Sequence, residues 1–349
     1  MRVIEVLSPG LLTTVQDLGR EGFGPMGVSP SGAADPIALR IGNRLVGNAE
    51  GAAALEMTLL GGTFAFPQGA VGALASSDFG ATLDGVAIPS WTSFEVKPGQ
   101  RLRLGPTRTG ARCYLCVRGG LAVELFLGSA STHLLSGLGG HEGRALRKGD
   151  VLKIGDAVSS SRTDTLACSP APSNPRDPSS RPGIPASPLA SSAAPPSLIG
   201  RKVAPIILER LALRKTLRVT PGPQSDWFSK TVQRTFYNAT YRVSEEANRM
   251  GLRLEGPAIP GGSHGEMISE GVSLGAIQIA AGGLPIILFV EQQTTGGYAK
   301  IANVISADLH SLGQLRPRDE IRFGSVSFDT ALKLLIEQEK LLASEDLIV

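Results

Sequence analysis

The sequence predicts a mainly β protein, and three observations carry that prediction. The 349 residues include 43 glycines and 24 prolines without a short repeat, which favours many short strands joined by tight turns. Apolar and polar residues alternate through most of 52–118, the period of half-buried strands. A basic turn leading into an alternating strand occurs three times, at Val96-Lys-Pro-Gly-Gln-Arg-Leu-Arg-Leu-Gly105, Leu146-Arg-Lys-Gly-Asp-Val-Leu-Lys-Ile-Gly155 and Leu315-Arg-Pro-Arg-Asp-Glu-Ile-Arg-Phe-Gly324. Such units recur in β-barrels, and their irregular spacing excludes a solenoid.

Residues 2–7 alternate as a first strand. Asp35-Pro36 opens a helix over 36–46, with Asp35 as N-cap and Pro36 at the first helical position. Ile37, Ile41 and Leu45 share its buried face, and Arg40, Asn43 and Arg44 are expected away from it. Asp84-Gly85 within 81–88 reads as a primed hairpin turn. Glu56, set among the apolar residues of 54–59, is either strand-edge decoration or a functional carboxylate. In the second half, 216–220 reads as a strand, and Pro221-Gly-Pro-Gln-Ser-Asp-Trp-Phe228 as a turn into an aromatic anchor. Residues 268–279 and the run ending at Val290 form a hairpin across Ala281-Gly-Gly283. Ser306 is expected to cap a short helix to about 312, and Asp329 or Thr330 an amphipathic outer helix over 330–343.

The length suits two domains. The expected division is an N-terminal β domain over 1–156, a flexible linker or insertion over 157–205, a C-terminal β domain over 206–330, and a helix and tail over 331–349. The linker assignment follows from its Pro, Ser and Ala content without a hydrophobic period. Hydrophobic residues make up 42% of the chain, enough for a full core. With 34 basic and 31 acidic residues, net charge +3, there is no electrostatic case for nucleic acid or a membrane surface. No apolar run reaches the length of a membrane span, and Met1-Arg-Val-Ile-Glu-Val-Leu7 has no signal-peptide core. Cys113 and Cys116 lie three apart on a predicted strand, on opposite faces, so they read as two separately buried thiols. An odd total of three cysteines suits a reducing cytoplasm.

Several chemistries are excluded. Gly22–Gly27 matches G-x-G-x-x-G in form, but Pro25 interrupts it and no helix start follows. Ser29 sits in G-x-S-P-S-G, which is not a nucleophile elbow. There is no phosphate-binding lysine loop, no H-E-x-x-H, no paired C-x-x-C and no biotin-attachment site, and no metal site is expected. His133, His141, His264 and His310 are scattered. What stands out is Glu291-Gln-Gln-Thr-Thr-Gly-Gly-Tyr-Ala-Lys300, which follows the buried strand Leu284-Pro-Ile-Ile-Leu-Phe-Val290. It is either a polar loop site held by a rigid strand or a plain Gly-Gly turn.

The chain resembles the KipA family, also called the 5-oxoprolinase C subunit, allophanate hydrolase subunit 2 or the biotin-dependent carboxyltransferase-like family. The resemblance rests on Thr14-Val-Gln-Asp-Leu-Gly-Arg20, Gly27-Val-Ser-Pro-Ser-Gly-Ala33, Asn43-Arg-Leu-Val-Gly-Asn48, Leu55-Glu56, Val117-Arg-Gly-Gly120, Leu127-Gly-Ser129, Gly143-Arg-Ala-Leu-Arg147, Pro221-Gly-Pro-Gln224, Asn248-Arg-Met-Gly-Leu-Arg-Leu254, Ile268-Ser-Glu-Gly271 and Gln293-Thr-Thr-Gly-Gly-Tyr298 with Lys300. It implies two cyclophilin-like β-barrel domains with a few short helices. It further implies two partner proteins, one KipI-like and one LamB/YcsF-like, and ATP-dependent hydrolysis of 5-oxo-L-proline to L-glutamate, with the isolated chain inactive. Two alternatives accompany that reading: a carboxyltransferase half acting with biotin on urea or a similar amide, and a non-enzymatic regulator of a KipI-like partner. On this resemblance Asp17 and Glu56 position water or take a proton, and Lys300 and Arg249 stabilise developing negative charge. Gln16, Ser29, Ser31, Gln293, Thr294, Thr295 and Tyr298 contact a small amide. Asp17 as a turn cap and Arg249 as half of an ion pair across the domain interface are the structural alternatives. Two stretches depart from the family pattern: Ala75-Ser-Ser-Asp78 replaces Thr-Gly-Ala-Asp, and Gln292 replaces an arginine.

Overall fold

Six consecutive buried residues, Arg112–Val117, form the middle of the first half. A strand buried on both faces needs cover on both sides, and this one has it. It is the central strand of a five-stranded antiparallel sheet, in the order Leu12–Gln16, Ala54–Thr58, Arg112–Val117, Ala70–Ser76, Thr92–Val96. One face packs on a seven-stranded sheet that includes Val3–Ser8, Thr63–Ala65, Arg101–Arg103 and Val151–Ile154. Val6, Leu55, Phe64, Leu102 and Leu115 fill the space between them. The other face is covered by helix α1 (Pro36–Leu45), whose Asp35 Oδ1 accepts from Ala38 N at 2.9 Å. Cys113 lies in the inter-sheet core and Cys116 under α1. Burial pushes both thiols well above their ordinary pKa, so neither is poised for redox or metal chemistry.

The structure, a computed structural model, describes residues 1–156, 197–260 and 267–349. Most of the expected linker, 157–196, lies outside the described residues, as does Cys168. Residues 197–204 run along the outer edge of Thr92–Val96: Ser93 N donates to Arg201 O at 2.9 Å, and Lys202 and Val349 exchange backbone hydrogen bonds at 2.8 Å. Helix α2 (Pro205–Arg210) follows.

The second half is a closed barrel of seven strands in the order Thr216–Pro221, Lys300–Val304, Ala276–Ile279, Pro285–Leu288, Gly251–Glu255, Tyr241–Val243, Glu320–Ser325. A parallel pairing between Thr216–Pro221 and Glu320–Ser325 closes it. Leu217, Ile277, Ile287 and Ile301 fill the lumen. Helix α3 (Lys230–Asn238) contributes Phe236, which stacks on Phe323 at 4.7 Å. The mainly β prediction therefore holds, with the second half a barrel and the first half two sheets around one core.

The two halves are clasped together. The short helix α4 (Leu309–Leu312) leads to Gly313 and Gln314. Gln314 Nε2 donates to Asp35 Oδ2 at 2.8 Å, and its Oε1 accepts from Ser77 Oγ at 2.8 Å and Arg112 N at 2.9 Å. Helix α5 (Phe328–Ala343) lies against α1 through a bidentate Arg40–Glu339 pair and an Arg44 bond to Leu342 O.

Three local expectations are corrected. Helix α5 begins two residues early, capped by Ser327, whose Oγ accepts from Thr330 N at 3.1 Å. Ser306 caps nothing and sits inside a single 3-10 turn after Ile305. Asn43 is fully buried, because its amide closes the loop after α1 by donating to Glu50 O and Ala52 O. The three turn-then-strand units do end in strands, at Arg101–Arg103, Val151–Ile154 and Glu320–Ser325.

Gly313 tests the clasp. Its backbone is ordinary helix (φ −60°, ψ −18°), where alanine normally stabilises by about 0.4–1 kcal/mol. A Cβ there would meet Ala34 O at 2.2 Å. Gly313→Ala is therefore expected to destabilise by about 1–3 kcal/mol through overpacking. Thermal melting checks this, and an unchanged or raised midpoint would mean the halves are not in tight contact there.

Candidate functional site

The expected site residues fall into three groups joined end to end. In the first, the strand Leu12–Gln16 delivers Gln16 and Asp17 to the loop 129–133. Asp17 Oδ1 accepts from Gly19 N at 2.7 Å, Ser129 Oγ at 2.6 Å and Ser131 Oγ at 2.5 Å, and Oδ2 accepts from Ala130 N at 2.6 Å. Gln16 Nε2 donates to Thr14 Oγ1 and Thr132 O, both at 3.1 Å. Ser31 Oγ donates to Thr132 O at 2.8 Å, and Ser29 Oγ is buried without a protein partner among the described residues. Arg20, absent from the sequence-based set, donates to Ser131 O and lies over Phe126.

The second group is a buried charge network where the halves meet. Glu56 stays 1% exposed and Arg249 5% exposed. The Arg249 guanidinium donates to Glu56 Oε1, to Glu291 Oε1 and, at 2.7 Å, to Gly32 O. Glu56 Oε2 accepts from Tyr114 Oη at 2.6 Å and Ala34 N at 2.8 Å, and Arg112 Nε stands 3.6 Å from Oε1. Glu291 Oε2 accepts from Leu134 N at 3.1 Å, and Ser31 N donates to Val290 O at 2.9 Å, which links this network to the first group. Burial alone would pull the Arg249 pKa down, and Glu56 and Glu291 more than reverse it. For Arg112 burial prevails over Glu56 and the pKa is lowered. Burial, reinforced by Glu56, drives the Tyr114 phenol well up, so it stays a donor. Arg112, Tyr114 and Glu291 are missing from the sequence-based set. Only the charged ends of Glu56 and Arg249 signalled that partners must exist.

The third group lies on the outside of the barrel. After Glu291 the chain turns back over the outer face, and Thr295–Gly296 pairs with Glu270–Gly271. Lys300 is 3% exposed, and its Nζ lies 2.7 Å from Glu270 Oε1. Gln224 Nε2 donates to the same oxygen at 2.9 Å, and Gln224 Oε1 accepts from Lys300 N at 3.1 Å. The Lys300 and Gln224 hydrogen bonds hold the Glu270 pKa below its ordinary value. Thr294 O accepts from Val272 N at 3.1 Å. Gln293 and Tyr298 line a cavity of about 150 Å³ with Asn248, Gln278, Ile286 and Leu288. Glu270 and Gln224 were also missed, although both belong to the stretches that carry the family resemblance. Among the described residues no group of three or more His, Cys, Asp or Glu is placed to hold a metal ion, and no helix is long and apolar enough to cross a membrane.

Residues 26–325 match the carboxyltransferase domain, subdomain A and B, and the chain belongs to this family. Among its relatives, the C subunit of 5-oxoprolinase from Escherichia coli is 35% identical over 97% of this chain and 96% of its own length. Urea amidolyase of Saccharomyces cerevisiae is 33% identical over 98% of this chain, which spans 18% of that protein. The solved structure of K. lactis urea amidolyase superposes with a TM-score of 0.81 at 30% identity, covering 99% of this chain and 21% of that one.

Breaking a buried ion pair by removing one charge costs about 3–5 kcal/mol. Glu56→Gln is expected to lose that much in urea unfolding, and Tyr114→Phe about 1–3 kcal/mol, because it strips a donor from Glu56 and an acceptor from Asp35 N. Wild-type stability in Glu56→Gln would show that the network does not hold the halves together.

His133 supplies a pH test. Its Nδ1 accepts from Ser136 N at 3.1 Å, which requires the neutral ring. Burial lowers its pKa, against an opposing pull from Glu291. The unfolded chain therefore binds the proton more readily. The stability contributed is complete above about pH 6.5 and is lost as pH falls through the lowered folded-state value. Unfolding titrations between pH 7.5 and 5 are expected to be less pH-dependent in His133→Gln; an identical slope would remove His133 as the source.

Proposed function

We propose that this chain is the C subunit of an ATP-dependent 5-oxoprolinase, working with a KipI-like protein and a LamB/YcsF-like protein to hydrolyse 5-oxo-L-proline to L-glutamate. The observation that carries the reading is the near-complete mutual coverage with the E. coli relative, 97% of one chain and 96% of the other. The urea amidolyases instead contain this unit as a small part of a longer chain. A cytoplasmic setting belongs to the reading.

In lactam hydrolysis water adds to the carbonyl carbon, the ring C–N bond breaks, and the nitrogen leaves with a proton as the amine. An ammonium near the carbonyl oxygen stabilises the charge that develops there. Lys300 is assigned that role, with Glu270 and Gln224 fixing its Nζ. Gln293, Thr294, Thr295 and Tyr298, on the loop above it, are assigned to orient the amide. Asp17 and Glu56 have both carboxylate oxygens engaged, so with Gln16, Ser29, Ser31 and Arg249 they are assigned to positioning the loops rather than to proton transfer. The Gly22–Gly27 loop is not built as a phosphate cradle for ATP. The glycines of 22–27 lead into the single 3-10 turn Gly24–Met26 rather than a helix N-terminus. ATP binding is assigned to the partner proteins.

The second reading, a carboxyltransferase acting on urea with biotin, is favoured by the fold-level match to urea amidolyase. A cavity of about 150 Å³ is well below the roughly 300–1,000 Å³ of cofactor-sized pockets. That size counts against biotin entering it whole.

The test mixes the three purified proteins with ATP and 5-oxoproline and measures glutamate. Omitting this chain is expected to abolish turnover, and Lys300→Met to lower kcat/KM by about 10²-fold in a complex that still assembles. Undiminished glutamate without this chain would sink the proposal. Carboxylation of urea dependent on carboxybiotin would install the second reading, and binding to the KipI-like protein without turnover would leave the chain a regulator.

A further inference from the structure

The strand Ala276–Ile279 places Ile277 and Ile279 in the barrel core, so Gln278 faces outward. An outward glutamine on a barrel is ordinarily solvated, yet Gln278 is 2% exposed because the loop after Glu291 folds over it. Its Nε2 has no hydrogen-bond partner among the described residues. Buried amides are almost always satisfied by protein, water or ligand, so this one is an unfilled donor, on a residue that lines the 150 Å³ cavity. A second donor joins it. A Cβ built on Gly296 would stand 2.5 Å from Gln278 Nε2 and 2.7 Å from Gln293 Nε2. The two amide nitrogens therefore lie within about 5 Å of each other, close enough to share one acceptor at ordinary hydrogen-bond length. Glycine at 296 is what leaves the space between them open.

We infer that Gln278 and Gln293 form a donor pair over Gly296 that holds one carbonyl or carboxylate oxygen of a small cyclic amide. The inference rests on the small-amide reading above but not on hydrolysis. The remaining walls indicate the ligand class. Met250, Ile286 and Leu288 supply an apolar side, and Asn248, Tyr298 and the cationic Arg253 a polar one. A ring with C–H bonds on one edge and an acceptor oxygen on the other matches both sides. Urea has no C–H face to set against the apolar wall. Lys300 lies opposite Gln278 in the strand register, which brings the donor pair and the ammonium to the same part of the barrel wall.

Three probes and two variants test this. 5-Oxoproline, 2-pyrrolidone and urea are titrated into the full chain, followed by calorimetry and by the side-chain NH₂ resonances of Gln278 and Gln293. 5-Oxoproline is expected to move both resonances, and urea to bind at least about tenfold more weakly. Gln278→Leu removes a group without a protein partner among the described residues, so its melting temperature is expected to hold or rise while affinity falls about tenfold. Gly296→Ala displaces the ends of two flexible side chains and is expected to lose affinity similarly. In the assembled complex both variants are expected to raise KM with kcat within about threefold. Unchanged affinity in both folded variants, equal binding of urea, or no binding of any probe to the wild type overturns the inference. If the wild-type complex makes no glutamate but the chain binds the lactams and loses them in Gln278→Leu, the hydrolase reading fails and the donor pair stands.

Discussion

The buried guanidinium of Arg249 is the interaction on which the arrangement of this protein depends. It belongs to the barrel, yet it reaches Glu56 on the opposing sheet, Glu291 at the start of the polar loop and the carbonyl of Gly32 ahead of α1. An arginine fork suits this task because its donors leave in fixed planar directions. Its desolvation is offset only while both carboxylates are in place. The halves are therefore held not merely by apolar area but by a geometry that tolerates little rotation. The Gln314 amide repeats the device, bonded on both its oxygen and its nitrogen.

This constraint explains why the candidate residues come as a chain of contacts rather than one cluster. Asp17 fixes the 129–133 loop, that loop meets the backbone around Val290 and Glu291, and Glu291 opens the segment that folds over Gln278 and Lys300. The links are buried side chains and backbone hydrogen bonds. Beside the cavity, Gln278 Nε2 still has bonding capacity left over. The carboxylates further back are saturated.

The sequence made local features legible. Asp35-Pro36 announced α1 because cap and first turn are adjacent residues, and Asp84-Gly85 announced its hairpin because both take positive φ. The opposite faces of Cys113 and Cys116 followed from strand geometry alone. What stayed hidden was set by partners remote in the chain. Gln314 meets Asp35 across 279 positions, and Arg249 meets Glu56 across 193. Asn43 lies on a helix face that periodicity assigned to solvent, and only the return of residues 50–52 buries it. Glu270 and Gln224 matter because they flank Lys300 in space, a relation no spacing encodes. Gln278 sits in an alternating strand like any outward residue, and only the loop above it makes its position unusual.

The pairing of Lys202 with Val349 has a consequence for the order in which the molecule is made. The outer edge of the first sheet is covered by residues 197–204, and these are in turn bonded to residues 347–349. During synthesis the first sheet's strands all emerge early, but the outermost layer on that edge is not complete until the last described residue has left the ribosome. An open strand edge is a template for pairing with another chain, and nascent chains expose it until the covering residues have been made. The outer edge of the first sheet is thus sealed only by residues made well after its own strands.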